Sequence, residues 1–210
     1  NVANFVTSTV LGGQGTDLFT LGTVTEGSRV NGNKQNDTLN ATTTTSSTLF
    51  GGQGDDTITT LAAGTTTSSL ISGDLANDNI TLGAGTHNTN TIEGGDGVDN
   101  FTINAAVVGS GTTFNNNTIN GGAGNDTVNA NVARITSAGT VVNGDAGVDT
   151  ITFGANFVHA VTINGGDDGD AITSGNVNDT VNGDAGDDNI TNIAGNDTID
   201  GGTGNDTIDV

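Results

Sequence analysis

The chain has 210 residues, 124 of them Gly, Thr, Asn or Asp, and it contains no Pro, Cys, Met, Trp or Tyr. Leu, Ile, Val and Phe number 48 in all, just above the level of roughly 20% below which a highly charged chain does not fold, so any core is thin. Twenty-four acids against three basic residues (Arg29, Lys34 and Arg134) give a formal charge of −21, which argues against nucleic acid and anionic lipid surfaces as partners.

No apolar run reaches the roughly 18 residues of a membrane span, and no basic n-region followed by an apolar h-region opens the chain, so no membrane insertion is expected. The chain begins at Asn1 without an initiator Met, as expected of a processed product or a segment of something longer. With no Cys there is no disulfide framework, and bound metal is the obvious alternative staple.

In chain order, one unit is written many times. A turn opens at Gly12 (GGQGTDLFT), a looser one at Gly32 (GNKQNDTLN), and a complete copy at Gly51 (GGQGDDTIT). A loose copy at Gly73 (GDLANDNIT) precedes complete copies at Gly94 (GGDGVDNFT) and Gly121 (GGAGNDTVN). Gly144 (GDAGVDTIT), Gly165 (GGDDGDAIT) and Gly183 (GDAGDDNIT) lead to the last complete copy at Gly201 (GGTGNDTID). The pattern is G-G-x-G-x-D-x-U-x with U apolar, and successive starts lie 20, 19, 22, 21, 27, 23, 21, 18 and 18 residues apart. The repeating unit is therefore a coil, not a nonapeptide. Two degenerate units, SGNVNDTVN at 174–182 and NIAGNDTID at 192–200, make residues 165–209 five contiguous nonapeptides, two per coil.

Each coil owns two inward strands. One carries the U residue: Phe19, Leu39, Ile58, Ile80, Phe101, Val128, Ile151, Ile172, Ile190 or Ile208. The other places an apolar residue two positions before the turn: Val10, Val30, Leu49, Ile71, Ile92, Ile119, Val142, Ile163, Val181 or Ile199. Apolar residues flanked by Thr, Asn and Asp follow the period of two of a half-buried strand, and no helix is expected. The Thr- and Ser-rich stretches at 42–48, 62–69 and 105–117 read as turns on the opposite edge, either plainly solvated or carrying O-glycans. The sequons at Asn36, Asn125, Asn178, Asn196 and Asn205 read as by-products of the repeated N-D-T.

The glycine turns carry the chemistry. Glycine at the first, second and fourth positions permits positive φ and close backbone approach, so successive carbonyl oxygens converge, and the sixth-position Asp adds a carboxylate. An oxygen-only donor set of this kind suits calcium at about 2.3–2.6 Å, and no Cys is present to attract softer metals. The metal-free reading is that each Asp caps its own turn as an Asx turn does. Parallel carboxylates about 4.8 Å apart repel unless neutralised, which favours the ion.

The ten to twelve copies of this pattern resemble the RTX family of hemolysin-type calcium-binding nonapeptide repeats. The resemblance implies stacked glycine turns in a parallel β-roll, with calcium between adjacent turns held by turn carbonyls and the sixth-position Asp of both. Carried onto this chain, the carboxylates are those of Asp17, Asp56, Asp78, Asp99, Asp126, Asp149, Asp170, Asp188 and Asp206. The turn glycines are Gly12, Gly51, Gly54, Gly94, Gly97, Gly121, Gly124, Gly144, Gly165, Gly183, Gly201 and Gly204. Ten turns leave about nine sites in one column.

Three carboxylates are expected to bind weakly: Asp37, whose turn lacks two glycines and places Lys34 among the ligands, and Asp179 and Asp197 on the opposite edge. The Gly73 turn lacks the same two glycines. Similar Thr- and Asn-rich coils look like those of cyanobacterial surface-layer and hemolysin-like extracellular proteins.

The candidates for catalysis are sparse: His87 and His159, both expected in exposed loops, with Glu26, Glu93, Arg29 and Arg134. An enzyme is not expected. The expected fold is all-β, a single right-handed parallel β-roll or β-helix solenoid over 1–210 of about ten coils. Coils are long in 1–164 and tight in 165–210, with calcium turns mainly along one edge.

The expected role is a secreted, calcium-stiffened structural protein of the cell surface, part of a surface layer, sheath or filament. Neither end of the stack shows a cap, which points to end-to-end self-association. The alternatives are a calcium-dependent folding module of a larger secreted toxin or enzyme, and a glycan-binding adhesin module.

Overall fold

Short segments such as Thr118–Ala123 and Asn100–Ile103 alternate outward and buried residues along the backbone, and in a computed structural model of the chain they form strands. The structure describes residues 3–104, 113–130, 139–154, 159–192 and 194–210. Every paired strand among them is parallel to its neighbours, and no helix occurs among them.

Two sheets run the length of the stack. The strands that lead into the glycine turns, from Thr9–Gln14 to Thr198–Asp200, form a ten-stranded sheet. Those that leave the turns, from Leu18–Thr25 to Thr207–Asp209, form the other with the first strand, Ala3–Val6. The chain is thus a parallel β-solenoid, and its ten pre-turn strands bound nine complete coils rather than ten.

Register holds along the pre-turn sheet. Val30 pairs with Leu49, Leu49 with Ile71, Ile71 with Ile92 and Ile92 with Ile119, so one inward column is unbroken. The facing column from Leu39 to Ile190 is 0–1% exposed at every coil, whereas Ile208 is 44% exposed. Burial of these branched side chains contributes about 1.5–3 kcal/mol each, an upper estimate because the unfolded chain already hides part of that area.

The core is wider than the two expected columns. A third inward row, two residues past U, contains Leu21, Ala41, Leu82, Ile103, Ala130 and Phe153, then closes at Ser174 in the tight coils. The Thr- and Ser-rich stretches expected as turns are largely strand: Thr38–Thr45 and Thr57–Thr67 run through them, because Thr is a strand former and alternate Thr side chains, Thr44 and Thr66, point inward. Residues 105–112 of the third stretch lie outside the described residues.

Candidate metal edge

The glycine turns stack along one edge of the solenoid, and the close approach of neighbouring coils explains their composition. A Cβ at the first glycine, as at Gly12, would stand 2.6 Å from Asp17 Oδ2 and 2.5 Å from the carbonyl oxygen of Gly32 in the next coil. The same cradle recurs at Gly51, Gly94, Gly121, Gly144, Gly165 and Gly183, each bounded by its own turn's carboxylate and the next first-glycine carbonyl. At Gly201 the boundary is Asp206. The fourth-position glycines Gly54, Gly97, Gly124 and Gly204 lie against the carbonyl of the coil before and have positive φ.

Two turns lack the second and the fourth glycine together. Asn33 (φ 79°) and Gln35 (φ 69°) in the Gly32 turn, and Asp74 (φ 83°) and Ala76 (φ 84°) in the Gly73 turn, adopt the left-handed conformation themselves. Register through Gly13, Asn33, Gly52, Asp74 and Gly95 is intact. The loss of turn geometry expected around Asp37 is therefore not found. Neighbouring coils impose the backbone, at a cost of roughly 1–2 kcal/mol per residue for L side chains. Lys34 does not sit among the carboxylates either, since its side chain is exposed.

The sixth-position carboxylates form a continuous ladder. Asp17 N–H donates to Asp37 Oδ1 at 2.7 Å, and Asp37 to Asp56 at 2.6 Å. The series continues through Asp78, Asp99, Asp126, Asp149 and Asp170 at 2.7 Å each, to Asp188 at 2.8 Å and Asp206 at 3.1 Å. The capping partner is thus the N–H of the preceding coil. From Asp37 to Asp188 these side chains are buried; Asp17 and Asp206 at the ends are half-buried.

One oxygen per carboxylate remains. The Oδ2 atoms of Asp17, Asp37, Asp56, Asp78, Asp99, Asp126, Asp149, Asp170 and Asp188 are buried and have no hydrogen-bond partner. Burial, first, and neighbouring carboxylates push the side-chain pKa up to about 6 at Asp56, Asp99 and Asp170, about 7 at Asp149 and about 8 at Asp78, against the lowering effect of each N–H bond. Asp37, Asp126 and Asp188 are raised too, chiefly by burial.

At one rung spacing of about 4.8 Å, two unit charges repel by about 3 kcal/mol at an effective dielectric of about 20. That matches or exceeds the about 1.5–3 kcal/mol of a hydrogen bond to a charged group. An ionised ladder needs cations, and Arg29 stacks instead on the Phe50 ring, 4.3 Å from its centroid. Among the described residues no three His, Cys, Asp or Glu side chains converge as a metal group. A hard cation here would be held by carbonyl oxygens and unpaired Oδ2 atoms, a donor set that fits calcium.

The opposite edge uses the same device with different atoms. Two residues before the inward apolar side chains of the pre-turn sheet stand Ser28, Ser47, Ser69, Asn90 and Asn117, the counterparts of the sixth-position Asp, and then Thr140, whose Oγ1 has no partner, and Val161, which interrupt the series. Ser47 N–H donates to Ser69 Oγ at 3.3 Å, Ser69 N–H to Asn90 Oδ1 at 3.1 Å and Asn90 N–H to Asn117 Oδ1 at 2.9 Å. This second ladder lacks glycines, so composition does not mark it; its sign in the sequence is the shared spacing of two residues to the apolar position.

Asp179 and Asp197 belong to this second ladder, and both oxygens of each are satisfied by protein donors. Val161 N–H donates to Asp179 Oδ1 at 2.9 Å and Gly175 N–H to Oδ2 at 3.1 Å; Asp197 accepts from Asp179 N–H at 2.6 Å and Asn192 Nδ2 at 2.7 Å. Of the two histidines, His159 is exposed, but His87, expected in an exposed loop, is 2% exposed in strand Thr86–Asn88.

These features define an all-β parallel solenoid with an oxygen-lined turn edge. The chain carries RTX repeats: the family model RTX calcium-binding nonapeptide repeat (4 copies) matches residues 42–62, 112–132 and 193–210. Those segments contain the complete turns at Gly51, Gly121 and Gly201. No curated protein and no solved structure matches the chain.

Proposed function

We propose that this chain is a calcium-dependent structural solenoid of extracellular material, part of a surface layer, sheath or filament. The observation that carries the reading is the row of nine buried Oδ2 atoms without partners on the glycine-turn edge. Calcium bound there supplies the positive charge that lets the carboxylates stay ionised at close spacing. Asp17, Asp37, Asp56, Asp78, Asp99, Asp126, Asp149, Asp170, Asp188 and Asp206, with the first-glycine carbonyls, hold about nine ions in one column. Asp179 and Asp197 are outside it.

Binding energy of this kind is folding energy, and sites of millimolar affinity load outside cells rather than inside. No helix among the described residues is long and apolar enough to cross a membrane. Self-association end to end belongs to the same reading, because two parallel sheets extend by adding strands in register, and one copy stacked on another makes a heterologous, non-closing contact.

Circular dichroism and calorimetry during calcium titration test the metal reading: β structure should rise with about nine ions bound. Electron microscopy of the chain in millimolar calcium tests the assembly, and monodisperse monomers at high concentration reject it.

A further inference from the structure

The wide coils bury polar atoms that the calcium edge does not use. Val24, Thr44, Thr66, His87 and Phe114 occupy one register position on five successive rungs and are 0–2% exposed. Three consecutive members of this file, Thr44 Oγ1, Thr66 Oγ1 and His87 Nδ1, have no hydrogen-bond partner. Buried polar groups in folded proteins are almost always paired, so three such atoms in adjacent rungs call for a ligand.

The chemistry of the file is fixed by His87. Its Nε2 lies 2.8 Å from the carbonyl oxygen of Gly83, which can only accept, so the ring proton resides on Nε2 and Nδ1 presents a lone pair. Burial pushes the imidazole pKa down, opposed only by the Gly83 bond, and no charged group contributes. The inward side chains of the described strands around it, Thr66, Phe114, Leu82, Ile92 and Ile119, are uncharged, and Asp78 and Asp99 of the same coils lie on the glycine-turn edge.

Neighbouring rungs are about 4.8 Å apart; some hydroxyls lean across that spacing and bond directly, as Thr67 Oγ1 does to Thr45 Oγ1 at 3.4 Å, but Thr44 Oγ1, Thr66 Oγ1 and His87 Nδ1 do not. One water with two bonds of about 2.8 Å spans that gap at a near-tetrahedral angle. We propose that Thr44, Thr66 and His87 hold two ordered waters inside the solenoid, one in each gap between rungs, sealed by Val24 at one end and Phe114 at the other. The first water bridges the two threonine hydroxyls. The second donates to His87 Nδ1 and bonds Thr66 Oγ1, which locks the ring in its neutral Nε2–H form.

A high-resolution crystal structure of the calcium-loaded 210-residue chain tests this. The expected result is two density peaks, each within hydrogen-bond distance of its pair of atoms, and loss of both in Thr66→Val, which removes the shared partner. Nitrogen-15 NMR of the wild-type chain is expected to show the Nε2–H tautomer of neutral His87, with the ring titrating below the ordinary imidazole range because it is buried. A dry file in the wild-type structure, a proton on Nδ1, or both waters unmoved in Thr66→Val would each overturn the proposal. The wild-type measurements decide it even where the variant does not fold.

Discussion

The two edges of the solenoid solve one problem with two chemistries. At each, the chain turns sharply and leaves a backbone N–H that the next coil must satisfy. On the glycine-turn edge the acceptor is a carboxylate, as in Asp99 N–H to Asp126 Oδ1; on the opposite edge it is a hydroxyl or amide, as in Asn90 N–H to Asn117 Oδ1. The neutral acceptors finish the task by themselves. Each carboxylate instead leaves an oxygen and a charge over, beside the next coil's first-glycine carbonyl. The difference separates a scaffold edge from an edge whose charge a cation or a proton must offset.

Removing calcium should affect the two edges most unequally. The core is thin, and an ionised ladder opposes stacking at each rung, so a chelator should abolish most β structure at neutral pH and low salt, reversibly. Far-ultraviolet circular dichroism before and after chelation measures it. A chain that keeps its full β signal in excess chelator at low ionic strength would show that the turn edge stands alone like its opposite.

The next effect is the pH response, which should reverse sign with calcium. The ladder carboxyls have folded-state pKa values raised from 3.8 to about 6 at Asp56 and Asp170, 7 at Asp149 and 8 at Asp78. Across that window the folded chain binds more protons than the unfolded one. Its stability is fully present below about pH 4 and is lost as pH rises through about 6 to 8. Without calcium, β structure should therefore increase on acidification from pH 8 to pH 5. With calcium, which needs ionised carboxylates, the calcium midpoint should instead fall as pH rises. Melting curves at several pH values with and without calcium give both signs, and the same sign in both conditions contradicts the mechanism.

Single substitutions come next. Asp126→Asn retains the oxygen that accepts from Asp99 N–H but removes the charge and the second carboxylate oxygen. It should stabilise the calcium-free fold and raise the calcium midpoint by roughly tenfold, the equivalent of about 1.4 kcal/mol. Asp37→Asn should match it, because Asp37 is equally buried, bonds Asp17 N–H and has the same unpartnered Oδ2. Ser69→Ala on the opposite edge should cost about 1 kcal/mol of stability and leave the calcium midpoint unchanged. A much smaller shift for Asp37→Asn than for Asp126→Asn would restore the inequality that the turn sequence suggests.

Much of this was legible in the residues. The spacing of Gly12 to Gly201 gave the coil, and the apolar residues on either side of each turn gave both sheets. What escaped was set by neighbours rather than by local sequence. Asn33, Gln35, Asp74 and Ala76 hold left-handed backbone because the flanking coils require it. Thr44, Thr66 and His87 look polar and exposed in sequence, yet the long coils enclose them. Ser69 and Asn90 hide a ladder because hydroxyls and amides are common in any loop, and only their register with Asp on the other edge marks them.

The finest contrast between the edges sets one carboxylate of each side by side. Asp179 and Asp188 belong to successive half-coils nine residues apart, both are buried, and burial raises the pKa of both. They differ in the second oxygen: that of Asp179 accepts from Gly175 N–H at 3.1 Å, whereas that of Asp188 has no partner. Asp179→Asn exchanges one satisfied acceptor for an amide donor facing an N–H. That loss of about 1 kcal/mol is partly offset by relief from the like charge of Asp197. Its melting temperature in saturating calcium should fall by only a few degrees, and its calcium midpoint should stay within a factor of two of wild type. Asp188→Asn should shift the midpoint several-fold while making the calcium-free chain more stable. Paired calcium titrations of the two variants separate the edges, and equal midpoint shifts would mean that the opposite edge of the tight coils binds calcium as well.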